Sequence, residues 1–323
     1  MKINKILNSL LLCAGALMVP VTHAAQELPD RPISLVVGFV AGGAADTSAR
    51  LIAERLGHNT GRSIAIINKP GAGGNIAHQF VAKGPKDGSM LLLGSVGPLT
   101  ISPHLMEVSY DPFKDLVPVS GGVNFPNVLV VHNAAGVKTL KEFIALAKSE
   151  PEKVDYASSG FGAASHMAGE LLNMEADVNM VHVPYKGGAQ AMQDLLGERV
   201  TSYFSAPPTA MPYVEEKRLI PLATTGLKRP AYLPEIPTVA ESGYPGFEAL
   251  NWYAFVAPGG TPDPILDRWN EEVVKVLTDP EVVKKLTEFG MTPQPTTREE
   301  FAAFMKKESD KWGRIIKERN IKK

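Results

Sequence analysis

The sequence predicts an α/β protein with two doubly wound lobes that face each other across a cleft. Three observations support this fold class. Short apolar runs alternate with helical patterns at the spacing typical of parallel sheets. Turns rich in glycine and other small residues follow several of these runs and precede helices. The strand–turn–helix pattern also restarts near residue 126 and ends near residue 249, which indicates a second domain inserted into the first.

The length and composition are those of an ordinary globular protein. The chain has 323 residues, of which 44% are hydrophobic and 21% are charged, so it can form one large or two medium domains. Its formal charge of −1 lacks the basic excess that nucleic-acid binding requires. We therefore expect no nucleic-acid partner.

Residues 1–25 have the pattern of a secretory signal peptide. Lys2 and Lys5 form a positive start, 10–19 is mostly apolar, and cleavage is expected after Ala24 or Ala25. A membrane anchor is the alternative, but about ten apolar residues are too few to span a bilayer core of ~30 Å. This segment predicts export.

The only cysteine, Cys13, lies inside this leader, so the mature chain has no disulfide and no thiol chemistry. Loss of Lys2 and Lys5 with the leader changes the formal charge to −3. An exported, cysteine-free and moderately acidic protein indicates the periplasm of a Gram-negative bacterium.

The first domain is predicted from strands and helices in the order of the chain. An apolar strand at Ile33–Val37 precedes a helix at 45–56, which we expect to end at Gly57. Further strands are predicted at 63–67 and 90–94, with a helix at 76–83 between them.

The second domain repeats this pattern over 126–249. Its predicted strands are 127–131, 154–157, 180–184, 200–204 and 219–224, and its predicted helices are 140–148, 166–173 and 189–196. The strand at 251–257 then returns to the first domain, and helices follow at 264–277, 280–289 and 299–317. We therefore assign 26–125 with 250–323 to lobe 1 and 126–249 to lobe 2, joined by two crossings.

Small-residue turns connect strands to helices in both predicted lobes. Ala41, Gly42 and Gly43 leave backbone N–H groups exposed at the positive end of a helix dipole, which suits a phosphate or a carboxylate. Similar turns occur at 71–75, 158–165 and 185–188. Because ligands of doubly wound sheets bind beyond the carboxyl ends of the strands, we expect these turns to meet at one cleft.

Polar side chains in these turns are candidate ligand contacts, and several have a structural alternative. The candidates are Asp46, Thr47, Asn75, Ser158, Ser159, Ser165 and Tyr185. Asp46 and Thr47 could instead cap the helix in whose first turn they lie, and Ser165 could cap the helix that starts at His166.

The sequence lacks the motifs of nucleotide, hydrolase and metal sites. G-x-G-x-x-G would require glycine at Ile76 or at Ser165, and no P-loop occurs. Neither G-x-S-x-G nor H-E-x-x-H is present, and the histidines after the leader are scattered singly. We therefore expect a protein without enzyme activity, metal or cofactor.

Several long motifs, in order along the mature chain, resemble the Bug family of periplasmic solute-binding proteins associated with tripartite tricarboxylate transporters. They include A-G-G-A-A-D-T-S-A-R (41–50), N-K-P-G-A-G-G-N-I (68–76), Y-A-S-S-G-F-G-A-A-S-H-M-A-G-E (156–170), V-P-Y-K-G-G-A-Q-A-M-Q-D-L-L-G (183–197), L-P-E-I-P-T-V-A-E-S-G-Y-P-G-F-E (233–248) and W-Y-A-F-V-A-P-G-G-T-P (252–262). Ala163 and Ala164 depart from a stretch that is often richer in hydroxyls in this family.

The resemblance implies a type II periplasmic-binding-protein fold that closes around a small carboxylated solute. The carboxylate is expected at backbone groups of the first glycine turn, directly or through water, and not on an arginine. The positions that match this role are Val40, Ala41, Gly42 and Gly43. The opposite lobe would contribute Ser158, Ser159, Gly162, Ser165, Tyr185, Pro208 and Thr209.

The implied function is capture of a di- or tricarboxylate, or of an aromatic carboxylate, for an inner-membrane permease of the tripartite tricarboxylate type. We expect a monomer. The alternative is an accessory that presents the bound solute to a membrane sensor, and the sequence does not separate these two functions.

Overall fold

The computed structural model describes residues 28–318, 320 and 321. The predicted signal peptide, its cleavage site and Cys13 lie outside these residues. The described part of the chain forms two separate sheets with helices packed against them, which confirms the predicted α/β class. Within it, no helix combines the length and the apolar character needed to cross a membrane.

The strands alternate with helices along most of the chain. The strands are β1 Ile33–Val37, β2 Ile64–Asn68, β3 Met90–Ser95, β4 Leu116–Pro126, β5 Val128–His132, β6 Asp155–Ser158, β7 Val181–Pro184, β8 Ser202–Ser205, β9 Leu219–Thr224, β10 Leu250–Pro258 and β11 Thr292–Pro293. The helices are α1 Ala44–Thr60, α2 Asn75–Ala82, α3 Ser102–Leu105, α4 Leu140–Ser149, α5 Ala164–Glu175, α6 Gly188–Leu196, α7 Pro207–Glu215, α8 Asp263–Leu277, α9 Pro280–Glu288 and α10 Arg298–Glu318.

Each sheet is the centre of one lobe. Lobe 1 has six strands in the order β11-β4-β10-β3-β1-β2 and carries α1–α3 and α8–α10, and lobe 2 has five strands in the order β7-β6-β8-β5-β9 and carries α4–α7. β1 is parallel to β2 and β3, and β6 is parallel to β7 and β8. The turns after β1 and β6 therefore lie at the carboxyl edges of their sheets.

The chain passes between the lobes twice, and hydrogen bonds tie the two passages together. Asn127 is the single residue between β4 and β5. Thr225 and Ala249 are the first and last residues of the return segment between β9 and β10. The Asn127 N–H donates to Thr225 Oγ1 at 2.8 Å, and the Thr225 N–H donates to the Asn127 carbonyl at 2.9 Å. Thr225 Oγ1 in turn donates to the Ala249 carbonyl at 2.8 Å. These three residues connect the two crossings directly.

The fold differs from the sequence prediction at the end of one helix and in several elements that were not predicted. Helix α1 continues through Gly57 and ends at Gly61, whose φ of 65° supplies the left-handed conformation that closes a helix. The prediction of an end at Gly57 was wrong because the residues after Gly57 continue the helix for another turn. The sequence pattern also missed β4 and α7, the latter because three prolines, Pro207, Pro208 and Pro212, lie within it.

Candidate functional site

A small cavity lies between the two lobes, at the carboxyl edges of the sheets. Its volume is ≈ 20 Å³, which is room for about one water molecule. The lining consists of Phe39, Gly43, Ala44, Ala45, Asn127, Ser159, Ser165, Gly188, Tyr203, Phe204, Ala206, Thr209, Asn251 and Tyr253. Because both lobes contribute, the size of the cavity depends on how far the lobes stand apart.

Four helices begin at this cavity, one from lobe 1 and three from lobe 2. The residues that precede α1, α5, α6 and α7 are Gly43, Ala163, Gly187 and Ala206, and none of them caps its helix with a side chain. The first N–H groups of a helix have no partner inside the helix. Helices α1, α5 and α6 therefore direct three sets of such donors at one small space. Helix α7 begins with Pro207 and Pro208, which have no N–H, and its Thr209 N–H donates to the Ala206 carbonyl, so it adds only the positive end of its dipole.

In the turns before two of these helices, the N–H of a glycine donates a hydrogen bond to the side chain four residues later. The Gly42 N–H donates to the Asp46 carboxylate at 3.0 Å, and the Gly162 N–H donates to His166 Nδ1 at 3.2 Å. A third turn has the same spacing, since His78 Nδ1 lies 2.9 Å from the Gly74 carbonyl. These contacts hold the turns in shape without covering the first N–H groups of the helices.

Asp46 is buried beneath the first turn and bonded on several sides. It accepts hydrogen bonds from Arg50 at 2.9 and 3.0 Å and from Asn68 Nδ2 at 2.9 Å, besides the bond from Gly42. Burial alone would raise the pKa of Asp46, but these hydrogen bonds and the Arg50 charge outweigh it and lower that pKa. The carboxylate is thus ionised at neutral pH, and its hydrogen bonds go to Gly42, Arg50 and Asn68.

A histidine pair supports the turn of lobe 2 in a comparable way. The rings of His166 and His182 stack with their centroids 4.1 Å apart, and His182 Nε2 lies 2.6 Å from Ser158 Oγ. Burial, together with the neighbouring His166, lowers the pKa of His182 to about 3. His182 is therefore neutral at physiological pH and acts as a hydrogen-bonding support behind the turn.

No charged side chain is among the residues that line the cavity. The polar groups of the lining are hydroxyls and amides, and its aromatic rings come from Phe39, Tyr203, Phe204 and Tyr253. Burial raises the pKa of Tyr203 and Tyr253, so both phenols stay neutral. Such a site can hold an anion only through N–H and O–H donors, with helix dipoles as the source of positive potential.

The structure brings four of the predicted site residues to the cavity. Gly43, Ser159, Ser165 and Thr209 are part of the lining. Ser165 Oγ accepts from the Ser159 N–H at 3.0 Å and lies 3.1 Å from Ser159 Oγ, so it links its own turn and does not cap α5. Gly43 directly precedes the first residue of α1.

The other predicted residues lie near the cavity or behind it. The side chain of Asn75 bonds to Ala72, Ser102 and Tyr110, and the Tyr185 hydroxyl donates to Asp194 at 2.9 Å. The remaining predicted positions, Val40, Ala41, Gly42, Asp46, Thr47, Ser158, Gly162 and Pro208, are outside the lining. Tyr185 instead borders an open groove at the outer mouth of the interlobe contact, together with Lys186.

Residues in predicted strands also line the cavity. Asn127 and Asn251 contribute amide groups, and Tyr203 and Tyr253 contribute aromatic faces. No local motif marks these four residues, because the segments that carry them meet only when both sheets are assembled.

The lobes touch each other through positions that have no side chain. A Cβ added at Gly73 of lobe 1 would lie 2.3 Å from the Phe161 carbonyl oxygen of lobe 2, and one added at Gly97 would lie 2.5 Å from that of Gly162. Both distances are far below normal contact. The present approach of the lobes therefore requires glycine at these positions. Among the described residues, no group of three or more acidic, histidine or cysteine side chains could hold a metal ion.

Comparison with known proteins identifies the family. The model of the "Tripartite tricarboxylate transporter family receptor" family matches residues 48–321. The periplasmic binding protein BugD superposes with a TM-score of 0.86 at 32% identity, covering 91% of this chain and 99% of that protein.

Two similar structures were solved with a bound dicarboxylate. Rpa4515 of R. palustris, with adipate, has a TM-score of 0.88 at 34% identity. The superposition covers 91% of this chain and 99% of the Rpa4515 chain. MatC of Rhodopseudomonas palustris, with malate, has a TM-score of 0.85 at 31% identity. The superposition covers 90% of this chain and 100% of the MatC chain. The predicted type II periplasmic-binding-protein fold is thereby confirmed. The chain belongs to the tripartite tricarboxylate transporter receptor family, the Bug family of periplasmic solute-binding proteins.

Proposed function

We propose that this protein captures a small carboxylate in the interlobe cavity and delivers it to an inner-membrane permease of the tripartite tricarboxylate type. The observation that carries this proposal is the meeting of the uncapped starts of α1, α5 and α6, which offer unpaired N–H groups, at a cavity lined without any charged side chain. Unpaired N–H groups at helix N-termini favour anions. The adipate and malate held by Rpa4515 and MatC support a di- or tricarboxylate, and the aromatic lining also suits an aromatic carboxylate.

We assign the contacts to the turns that meet at the cavity. In lobe 1 the residues are Val40–Gly43 with Asp46, Thr47 and Asn75, and in lobe 2 they are Ser158, Ser159, Gly162, Ser165, Tyr185, Pro208 and Thr209. Gly43, Ser159, Ser165 and Thr209 would touch the solute or its bridging water. The buried side chains of Asp46, Asn75 and Ser158 would act indirectly, by holding the turns.

Capture requires the lobes to open and close. A cavity of ≈ 20 Å³ is too small for a dicarboxylate, so the lobes must separate to admit one. The bonded residues Asn127, Thr225 and Ala249 are where the chain crosses, and we assign the bending motion to them. Solute contacts on both lobes would then stabilise the closed population. Lobe 1 would comprise 26–125 with 250–323, and lobe 2 would comprise 126–249.

We further propose that the protein is exported, is a monomer and binds its solute without converting it. The leader would be cleaved after Ala24 or Ala25 and the mature protein released into the periplasm. Intact-mass analysis of the periplasmic fraction checks the cleavage site, and size-exclusion chromatography with light scattering checks the monomer.

Thermal unfolding of the mature protein against a panel of organic acids tests the function. A ligand at about a hundred times its Kd adds about 2.7 kcal/mol to the free energy of unfolding, so at least one carboxylate should raise the Tm by several degrees. The matched uncharged diamides should leave the Tm unchanged. A panel in which no carboxylate raises the Tm would overturn the proposal.

A further inference from the structure

We propose that Asn127 is a specificity-determining residue whose side-chain N–H donates a hydrogen bond to an oxygen of the bound solute at the first crossing between the lobes. This inference rests on the proposed function, since it concerns how the same cavity recognises a carboxylated solute. It predicts a preference for solutes that present oxygen acceptors and carry no ammonium group.

The side chain of Asn127 is buried at the cavity, and its N–H groups have no acceptor among the described residues. The residue is 1% exposed and is part of the cavity lining. Its Nδ2 donates to no group among the described residues, whereas its Oδ1 lies 3.5 Å from Asn251 Nδ2. A buried N–H without an acceptor is costly, so an oxygen placed beside it is bound favourably.

The position of this amide is set by the crossings themselves. Both backbone polar groups of Asn127 bond to Thr225, at 2.8 and 2.9 Å, and Thr225 Oγ1 continues to Ala249. Asn251 comes from β10, the strand that follows the return passage. Asn127 therefore lies in one crossing and Asn251 just after the other, so a solute bonded to Asn127 would contact a segment to which we assign the bending motion. A donor held by such bonds is organised before the solute arrives.

The chemistry of the lining favours one class of solute. Asn127 offers N–H groups, which require an oxygen acceptor such as a carboxylate, hydroxyl or carbonyl. No aspartate or glutamate lines the cavity, so an α-ammonium group would be buried without an opposite charge. Hydroxy acids and simple dicarboxylates fit this lining, and amino acids of the same shape do not.

The test uses malate, adipate and aspartate as probes in isothermal titration calorimetry on the mature protein. Asn127→Ala should weaken malate or adipate binding about tenfold to a hundredfold. The isosteric Asn127→Asp should weaken it further, because a carboxylate replaces the donor, and should lower the ratio of malate to aspartate affinity. Asn133→Ala, at an exposed amide of lobe 2 that donates to Lys217, is the matched control and should bind as the parent does.

The outcomes separate this inference from the proposed function. If the parent binds carboxylates and both Asn127 variants keep their Kd within about twofold, the role of Asn127 is wrong and the proposed function stands. If the parent binds none of the panel carboxylates, both fail. If Asn127→Ala does not fold, the isosteric Asn127→Asp decides, with circular dichroism as the check of its fold.

Discussion

Helix starts at the cavity and helix starts on the outer surface are built differently. On the outside, Thr139 Oγ1 accepts from the Glu142 N–H at the start of α4, and the Glu142 carboxylate accepts from the Thr139 N–H, both at 3.2 Å. Asp279 caps α9, and Thr297 with Glu300 forms the same reciprocal pair before α10. At the cavity the corresponding residues are Gly43, Ala163, Gly187 and Ala206, which have no capping group.

The difference shows how one structural element serves two purposes. A capped helix start has its N–H groups satisfied by its own chain and adds stability. An uncapped start keeps the same groups for another acceptor. The cavity turns keep their shape because Asp46 and His166 tie them from behind, so stability and free donors are supplied by different residues.

The largest effect is expected when a cavity start is given a cap. Gly43→Asp places a carboxylate over the N–H groups of α1 and near Ala189 N, which lies 3.9 Å from the position of an added Cβ. The introduced charge should repel the solute carboxylate and weaken binding at least about a hundredfold. The free energy of unfolding should stay within about 1 kcal/mol of the parent.

Calorimetry and urea unfolding measure the two effects, and Gly43→Ala is the matched control. Gly43 has a φ of −88°, which any residue adopts, and an added Cβ meets only ordinary contacts. Gly43→Ala should therefore bind nearly as the parent does. Parent-like affinity of Gly43→Asp would contradict the role of this helix start.

An intermediate effect is expected from acid, which acts on His78, the buried histidine that contacts the turn at Gly74. Burial lowers the pKa of His78 to about 4, against an ordinary value of 6.5. Between these values the unfolded chain binds more protons than the folded one, so the free energy of unfolding falls as the pH falls. His78 should account for a loss on the order of 1–2 kcal/mol between pH 7 and pH 5.

Urea unfolding at pH 7, 6 and 5 checks this loss. His78→Asn should be less stable at pH 7 but should lose less on acidification. His58→Asn, at an exposed histidine of α1, should follow the parent. Equal pH slopes for the parent and His78→Asn would show that the buried ring does not control acid stability.

The smallest effect is expected when an outer cap is removed. Thr139→Ala should lower the free energy of unfolding by about 1 kcal/mol, because it removes the acceptor for the Glu142 N–H. Solute affinity should not change, since α4 does not reach the cavity. Thr139→Ser keeps the hydroxyl and should have the stability of the parent. A changed Kd for Thr139→Ala would contradict the claim that only the helix starts at the cavity affect solute binding.

The sequence predicted the positions of the turns better than the directions of their side chains. Small residues between a strand and a helix have few alternative structures, so the turns at Gly43 and Ser159 could be placed. Whether Asp46 faces the cavity or the back of its turn depends on Arg50 and Asn68, and Asn68 ends a different strand. The spacing of a glycine followed four residues later by Asp46, His78 or His166 was the available signal for a tied turn.

The amides of Asn127 and Asn251 could not be found from local patterns. Asn127 and Asn251 lie in apolar, strand-like sequence and become neighbours only when β4, β5 and β10 are assembled. A polar residue at the junction of two buried strands was the only indication, and such residues often serve backbone pairing alone.

A crystal structure of the mature protein with adipate or malate tests the central claim most directly. One solute carboxylate should lie about 2.7–3.2 Å from N–H groups in the first turns of α1, α5 or α6, or reach them through one water. A carboxylate paired instead with a lysine or arginine, such as Lys186 in the outer groove, would contradict the account.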